Sequence, residues 1–204
     1  RLEDYLITHA EDDTCLGILI AFHTGIRLGE LCALTWECID LEESVLSIKR
    51  SMQRTSGKIE AGKTEIVLQE PKSLTSLRSI PLPPVLLPFL KQYRQQDPCY
   101  VIHGKKKPFA EPRTVQYRFS KILKQCRIED FHFHMLRHAF ATRCIDMGFD
   151  VKSLSEILGH SNVQITMNLY VHSTMQRKKQ LMNFFTAKPP EEMQYPPLSY
   201  NTSE

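Results

Sequence analysis

The sequence predicts a mainly α-helical domain carrying a small three-stranded antiparallel β-sheet. Three observations lead there. Apolar residues recur at helical spacing through much of the chain, as at Val115, Phe119, Ile122 and Leu123. A central block, residues 44–80, alternates apolar and polar side chains as strands do. Glycines and small polar residues stand where helices stop and start: Thr14, Gly25, Gly148, Asp150, Gly159, Ser161 and Asn162. With 204 residues, 42% of them hydrophobic, the chain is long enough to bury a sizeable core.

In chain order, residues 3–10 read as the end of a helix, and Thr14 is placed to cap the next, Cys15–Phe22. That helix is apolar nearly all round, which marks it as central to the core. Gly25 suits a helix stop needing positive φ, and Ile26–Leu34 reads as a second short helix. Arg27 therefore falls at a glycine-hinged junction between buried helices, where a charge needs a partner. Glu30, three residues on, shares its helical face; a purely structural Arg–Glu pair is the plain alternative. Ser44–Met52, Glu65–Gln69 and Arg78–Ile80 read as the strands. Pro71–Ser76 is a polar tip that puts Lys72 near the end of a hairpin.

Val85–Gln96 has helical periodicity, with prolines at its start. Arg113–Arg127 is a further helix whose exposed face is expected to carry Arg113, Arg118, Lys121 and Lys124. Short helices broken at Gly148 and Gly159 then lead to Tyr170, and Thr174–Phe185 reads as a last amphipathic helix. The tail, residues 186–204, has four prolines and little periodicity. The expected organisation is one domain over 1–185 and a flexible C-terminal tail over 186–204. The first residue is Arg1, without an initiating Met, so the sequence is expected to be part of a longer chain.

Charge is distributed unevenly. Residues 1–48 carry 2 basic and 10 acidic side chains, whereas residues 49–143 carry 19 and 7. So basic a middle segment points to a polyanionic partner. No apolar run approaches the roughly 20 residues that span a bilayer, so no membrane partner is expected. Six cysteines without a C-x-x-C pair read as reduced core thiols of a cytoplasmic protein.

The stretch from His134 to Tyr170 holds the side chains that phosphate chemistry requires. It contains His134, Arg137, Leu158-Gly159-His160 and, ten residues later, Tyr170. In attack on a phosphodiester, charge develops on the non-bridging oxygens, which planar guanidinium forks match in pairs. Arg27 and Arg137 would serve there. A tyrosine hydroxyl is a weak nucleophile unless a base or positive charge assists it, and His134 or His160 is placed in sequence to do so. Lys72 would protonate the leaving alkoxide. The two arginines and the lysine supply the positive charge, so neither metal nor cofactor is expected. A tyrosyl ester keeps the energy of the broken bond, so strands are rejoined without ATP.

Five ordered motifs carry a family resemblance: Thr24-Gly-Ile-Arg-Leu-Gly-Glu-Leu31, Pro71-Lys72 ahead of Arg78-Ser-Ile-Pro-Leu82, His134-Met-Leu-Arg-His138, Leu158-Gly-His-Ser161 and Tyr170-Val-His172. Together they resemble the catalytic domain of the tyrosine recombinases, the phage-integrase family, including integrases of conjugative transposons and prophages. The resemblance covers nearly residues 1–185. It implies a mobile-element recombinase that cuts and rejoins double-stranded DNA through 3′-phosphotyrosyl intermediates, bacterial and DNA-associated. Carried over by position, Arg27 and Arg137 clamp the scissile phosphate, Lys72 is the general acid and His134 the acid–base partner. His160 hydrogen-bonds the phosphate, Tyr170 is the nucleophile and Glu30 supports Arg27. Such proteins are monomers alone and tetramers on two DNA duplexes. The step from His160 to Tyr170 is one residue longer than in some members, and the family's N-terminal arm and core-binding domains have no counterpart in this sequence.

Two other classes compete. A non-catalytic DNA-binding module accounts for the basic segment but makes the co-occurrence of Arg27, Lys72, Arg137, His160 and Tyr170 a coincidence. A metal nuclease would need a ligand set, and His132, His134 and His138 lack a carboxylate or cysteine at suitable spacing.

Overall fold

The helix Asp13–Thr24 is the centre of the helical core, packed against the helices Leu2–Thr8, Leu28–Cys32, Pro112–Gln125 and Phe133–Asp146. The computed structural model describes residues 1–56, 64–69, 77–95, 98–170 and the single positions 179 and 182. Helix α1 spans Leu2–Thr8 and α2 spans Asp13–Thr24, where every residue from Thr14 to Ala21 is buried. The cap of α2 is Asp12 rather than Thr14. Its carboxylate accepts the backbone N–H of Thr14 at 2.9 Å and of Cys15 at 3.0 Å. Asp12 wins because its carboxylate adds favourable charge at the positive end of the helix to the hydrogen bonds a hydroxyl would also make.

Gly25 ends α2 at φ 66°, and a side chain there would collide with the ring of Phe140. Only glycine satisfies both the left-handed backbone and that approach. The short helix α3 (Leu28–Cys32) follows, with Leu31 fully buried.

Among the described residues the single expected sheet is two. Strands β1 (Ile39–Asp40), β2 (Val45–Ile48) and β5 (Arg78–Pro81) form an antiparallel sheet in the order β1-β2-β5, with Leu46 opposite both Ile39 and Ile80. Strands β3 (Ser51–Ser56) and β4 (Thr64–Gln69) form a separate antiparallel ribbon. The expected strand Ser44–Met52 breaks at Lys49 and Arg50. Leu46, Ile48 and Met52 are buried, so uninterrupted alternation would have turned Arg50 into the core. The chain leaves the ladder there, and Arg50 reaches Glu37 at 3.5 Å. Lys72, with its hairpin tip, lies outside the described residues.

Helix α4 covers Leu87–Gln92, a shorter span than expected. Helix α5 (Pro112–Gln125) buries Val115, Phe119, Ile122 and Leu123, the stripe its periodicity predicts. Arg113, Lys121 and Lys124 are exposed on α5. Arg118 corrects the expectation of an open basic face: it turns toward α2 and donates to Thr14 Oγ1 at 2.9 Å. Helices α6 (Phe133–Asp146), α7 (Val151–Leu158) and α8 (Val163–Tyr170) complete the described elements. Asp150 caps α7 through the Ser153 N–H at 2.9 Å, and Asn162 accepts the Gln164 N–H at 2.8 Å.

By internal contact the chain divides into two units, Arg1–Leu169 and Tyr170–Glu204. The helix expected over 174–185 and the tail over 186–204 lie outside the described residues, apart from positions 179 and 182. No described helix is long and apolar enough to cross a membrane.

Candidate active site

Arg137 sits in the first half of α6 and is almost wholly buried, with 6% of its surface exposed. Two carbonyls hold it. Nη1 donates to Gly25 O at 2.8 Å and Nη2 to Leu158 O at 2.6 Å. The glycine that stops α2 therefore serves twice: it lets α6 close in, and its carbonyl anchors the guanidinium that α6 brings. Burial and the neighbouring Arg27 charge push Arg137 down to about 9, with Glu30 opposing them. It remains a cation at neutral pH.

Arg27 is the residue before α3, as the glycine-hinged junction predicts. Nη1 donates to Glu30 Oε1 at 2.9 Å, and its backbone N–H donates to Glu30 Oε2 at 2.8 Å. Nη2 donates to Gly159 O at 2.9 Å. Glu30 thus bonds both the side chain and the backbone of Arg27. Consecutive carbonyls of one turn, Leu158 and Gly159, hold the two arginines. A guanidinium has five N–H groups, so each arginine keeps donors beyond those used to anchor it among the described residues.

Glu30 is 4% exposed and carries a second partner that sequence reasoning leaves without a role. Arg78 donates from Nη1 to Glu30 Oε1 and from Nη2 to Oε2, both at 2.9 Å, and from Nε to Ile157 O at 2.6 Å. This is the fork-on-carboxylate geometry that makes arginine–carboxylate pairs strong. Burial by itself would raise the Glu30 pKa. The Arg78 hydrogen bonds and charge, joined by those of Arg27, overcome it and hold the carboxyl below its ordinary value. The signal for Arg78 is present in the sequence: on β5 it alternates in phase with Ile80, and a cation at an inward strand position calls for a partner.

Gly159 ends α7 at φ 63°, and a side chain there would come within 2.8 Å of Arg78 Nη1. Its left-handed turn brings the Leu158 and Gly159 carbonyls toward the arginines and leads into His160. The His160 Nδ1 is 2.7 Å from Oγ1 of the fully buried Thr166. Burial, followed by the charges of Arg137, Arg27 and Arg78, lowers His160 to about 4. His160 is therefore a neutral imidazole at physiological pH, able to donate one N–H. NMR of ring-labelled protein should show it unprotonated from pH 8 down to about 5, with its midpoint near 4, in contrast to an ordinary histidine near 6.5. A midpoint above 6 would show that burial and the arginine charges do not together hold the ring neutral.

A cleft of about 560 Å³ opens beside the arginines, lined by Arg27, Arg137, His134, His132 and Arg54 among others. His134 lies in the first turn of α6. Partial burial, then the charges of Arg137 and its histidine neighbours, lower its pKa. Arg54, on β3, adds a cation that sequence reasoning passes over, and it pairs with Glu111. His160 lines a separate depression with Arg78 and Ser161 rather than the cleft itself. Arg27, Glu30, His134, Arg137 and His160 are thus gathered in one region. Tyr170 ends α8 and begins the second unit; its side chain, like Lys72, lies outside the described residues.

Comparison with known proteins places the chain by family and by fold. Residues 2–177 match the phage integrase family. A tyrosine recombinase XerC-like protein of Caldanaerobacter subterraneus is 32% identical over 178 residues, covering 78% of this chain and 46% of that protein. The tyrosine recombinase XerA of Pyrococcus furiosus is 30% identical over 169 residues, covering 80% of this chain and 51% of its own length. The chain therefore spans about half the length of these curated relatives. Among solved structures, the Tn1549 transposon integrase in complex with a circular intermediate DNA superposes with a TM-score of 0.73 at 23% identity, covering 90% of this chain and 63% of that one. The XerA recombinase structure gives 0.62 at 23% identity, covering 92% and 64%. These two likenesses establish the fold, and the family match establishes descent: the chain belongs to the phage integrase family.

Proposed function

We propose that this chain is the catalytic domain of a site-specific DNA recombinase, which cuts and rejoins DNA strands through a 3′-phosphotyrosyl intermediate during integration or excision of a mobile element. The observation that carries the reading is the pair of anchored guanidiniums. Arg27 and Arg137 come from helices far apart in sequence, are fixed by adjacent carbonyls at 2.9 and 2.6 Å, and border a cleft that also holds His134. Fixed cationic donors aimed where phosphoryl charge develops are the main source of stabilisation for such a transition state.

In this mechanism the tyrosyl oxygen of Tyr170 attacks the scissile phosphorus, and Arg27 and Arg137 take up the developing oxyanion charge. His134 exchanges the proton with the nucleophile, neutral His160 donates its N–H to a non-bridging oxygen, and Lys72 protonates the 5′-oxygen as it leaves. Glu30 positions Arg27. The second strand's hydroxyl reverses these steps on the ester. Exposed Arg113, Lys121 and Lys124 contribute phosphate contacts to duplex DNA, and Arg118 aligns α5 against α2 instead. Residues 1–185 form the catalytic domain and 186–204 its tail. Four copies on two duplexes make up the working assembly, and the site of action is the bacterial cytoplasm.

The test is covalent capture. The full chain is incubated with duplex oligonucleotides of randomised sequence that each carry a nick, and products are separated on a denaturing gel. The expected result is a protein–DNA adduct that resists EDTA and disappears in Tyr170→Phe. An adduct retained by Tyr170→Phe would remove the assigned nucleophile. Cleavage without an adduct, abolished by EDTA, would place the chain among metal nucleases.

A further inference from the structure

A second constellation of reactive side chains lies away from the arginines, where the segment between α4 and α5 meets the start of α2. Cys99 Sγ is 2.9 Å from His103 Nε2. The opposite ring nitrogen, Nδ1, is 3.1 Å from Asp13 Oδ2. The same carboxylate oxygen accepts the His103 backbone N–H at 2.7 Å, so Asp13 holds both the ring and the peptide that bears it. Asp13 is held in turn by Arg118, 3.5 Å from its other oxygen. On the sulfur side, Cys99 O accepts the Trp36 N–H at 2.9 Å, which fixes the cysteine's backbone to the core. The Cys99 thiol also has Gln95 Oε1 as an acceptor, at 3.1 Å.

This order of groups has a definite chemistry. A carboxylate at Nδ1 keeps the proton on that nitrogen and leaves Nε2 as an acceptor facing the thiol. A nucleophile within reach of a base, with the base oriented by a third group, is the arrangement of an activated side chain. The cysteines also differ in access. Cys99 is half-buried, whereas Cys15, Cys32, Cys38, Cys126 and Cys144 are buried. Burial pushes the Cys15 and Cys32 thiols up to about 12 and Cys144 to about 11, so these three stay protonated and inert. Neither the arginine cleft nor its chemistry makes use of Cys99, His103 or Asp13.

We propose that Cys99 is a thiol-modification site that undergoes exchange with small disulfides, with His103 as its base. The Sγ–H proton passes to His103 Nε2 as sulfur attacks one sulfur of the disulfide. The disulfide's S–S bond breaks as the bond to Cys99 forms. The other half leaves as a thiolate, which carries the electron pair and recovers the proton from His103. The product is a mixed disulfide on Cys99, and the disulfide itself is the oxidant. The adduct takes the place of the Sγ–Nε2 hydrogen bond at the junction of α2 and α5.

The test uses the full chain and the aromatic disulfide DTNB under native conditions, with release of the coloured thiolate read over time. One thiol of the six is expected to react quickly, mapped to Cys99 by peptide mass and lost in Cys99→Ser. His103→Ala should slow that phase about tenfold or more, and added imidazole should restore part of the rate, which a merely structural role for His103 would not allow. Silence of the five buried thiols shows that each variant is folded; if His103→Ala exposes them, His103→Gln takes its place. The proposal is overturned if Cys99 reacts no faster than the buried thiols, or if a folded His103 variant reacts at the wild-type rate.

Discussion

Arg27→Lys is expected to lower the rate of covalent adduct formation by roughly 10²–10³-fold, the cost of removing a preorganised donor from a developing oxyanion, with little change in DNA affinity. The reason lies in how Arg27 is used. One arm of its fork is fixed by Glu30 and another by Gly159 O, both at 2.9 Å, so the remaining N–H groups have a set direction. Lysine keeps the charge, and charge alone supports general attraction to the DNA backbone. It has a single nitrogen, however, which cannot bond Glu30, the turn carbonyl and two phosphate oxygens together. The measurement is single-turnover adduct formation beside a binding titration at fixed salt. Parallel losses in both would mean that Arg27 binds DNA without contributing specifically to the chemical step.

Glu30→Gln is expected to destabilise the fold by about 3–5 kcal/mol, the range for breaking a buried ion pair by removing one partner. Glu30 and Arg78 have side chains only 4% and 6% exposed, so water does little to screen the cation left behind. Glutamine fills the same volume, which keeps a cavity from contributing. At about 2–4 °C per kcal/mol for a chain of this size, the melting temperature should fall by roughly 10 °C. Acid supplies an independent check. Because Glu30 is held below its ordinary pKa in the folded chain, its stabilisation is complete above the unfolded value of about 4.3. It is lost as pH falls through the lowered folded value. The melting curves of the wild type and of the Glu30→Gln variant should therefore converge on acidification. A constant gap down to pH 3 would show that the variant acts through packing and not through charge.

Local chemistry makes part of this legible in the sequence. Gly25, Asp150 and Gly159 announce helix ends because left-handed turns and side-chain caps are decided within a few residues, and each ends or starts a helix in the structure. The Arg27–Glu30 pair follows from two positions on one helical face. Arg78 stands within a motif but has no role in the sequence reading, since its partner Glu30 is 48 residues away in sequence and only the tertiary fold joins them. The break at Lys49 and Arg50 is hidden because Ser44–Met52 alternates well enough to read as one strand; only the cost of turning Arg50 inward explains the division into two sheets. Arg118 reads as part of the outer face of α5, although it lies at the border of that face and Asp13 and Thr14 of α2 draw it in. In each of these three misses the deciding partner, or the core it would have entered, comes from a distant part of the chain.

The two carbonyls that end α7 have one further consequence. Glu30 is an anchor that protons can release, whereas a peptide carbonyl has no proton to gain over the same range. The last turn of a helix carries partial negative charge, and in α7 that charge faces the two cations through Leu158 O and Gly159 O. Each arginine therefore has at least one non-titrating anchor, and acid that loosens the Glu30 junction takes one of two side-chain anchors from Arg27 and none from Arg137. The two guanidiniums thus differ in what aims them: Arg27 rests on a carboxylate and a helix end together, Arg137 on helix-end carbonyls alone.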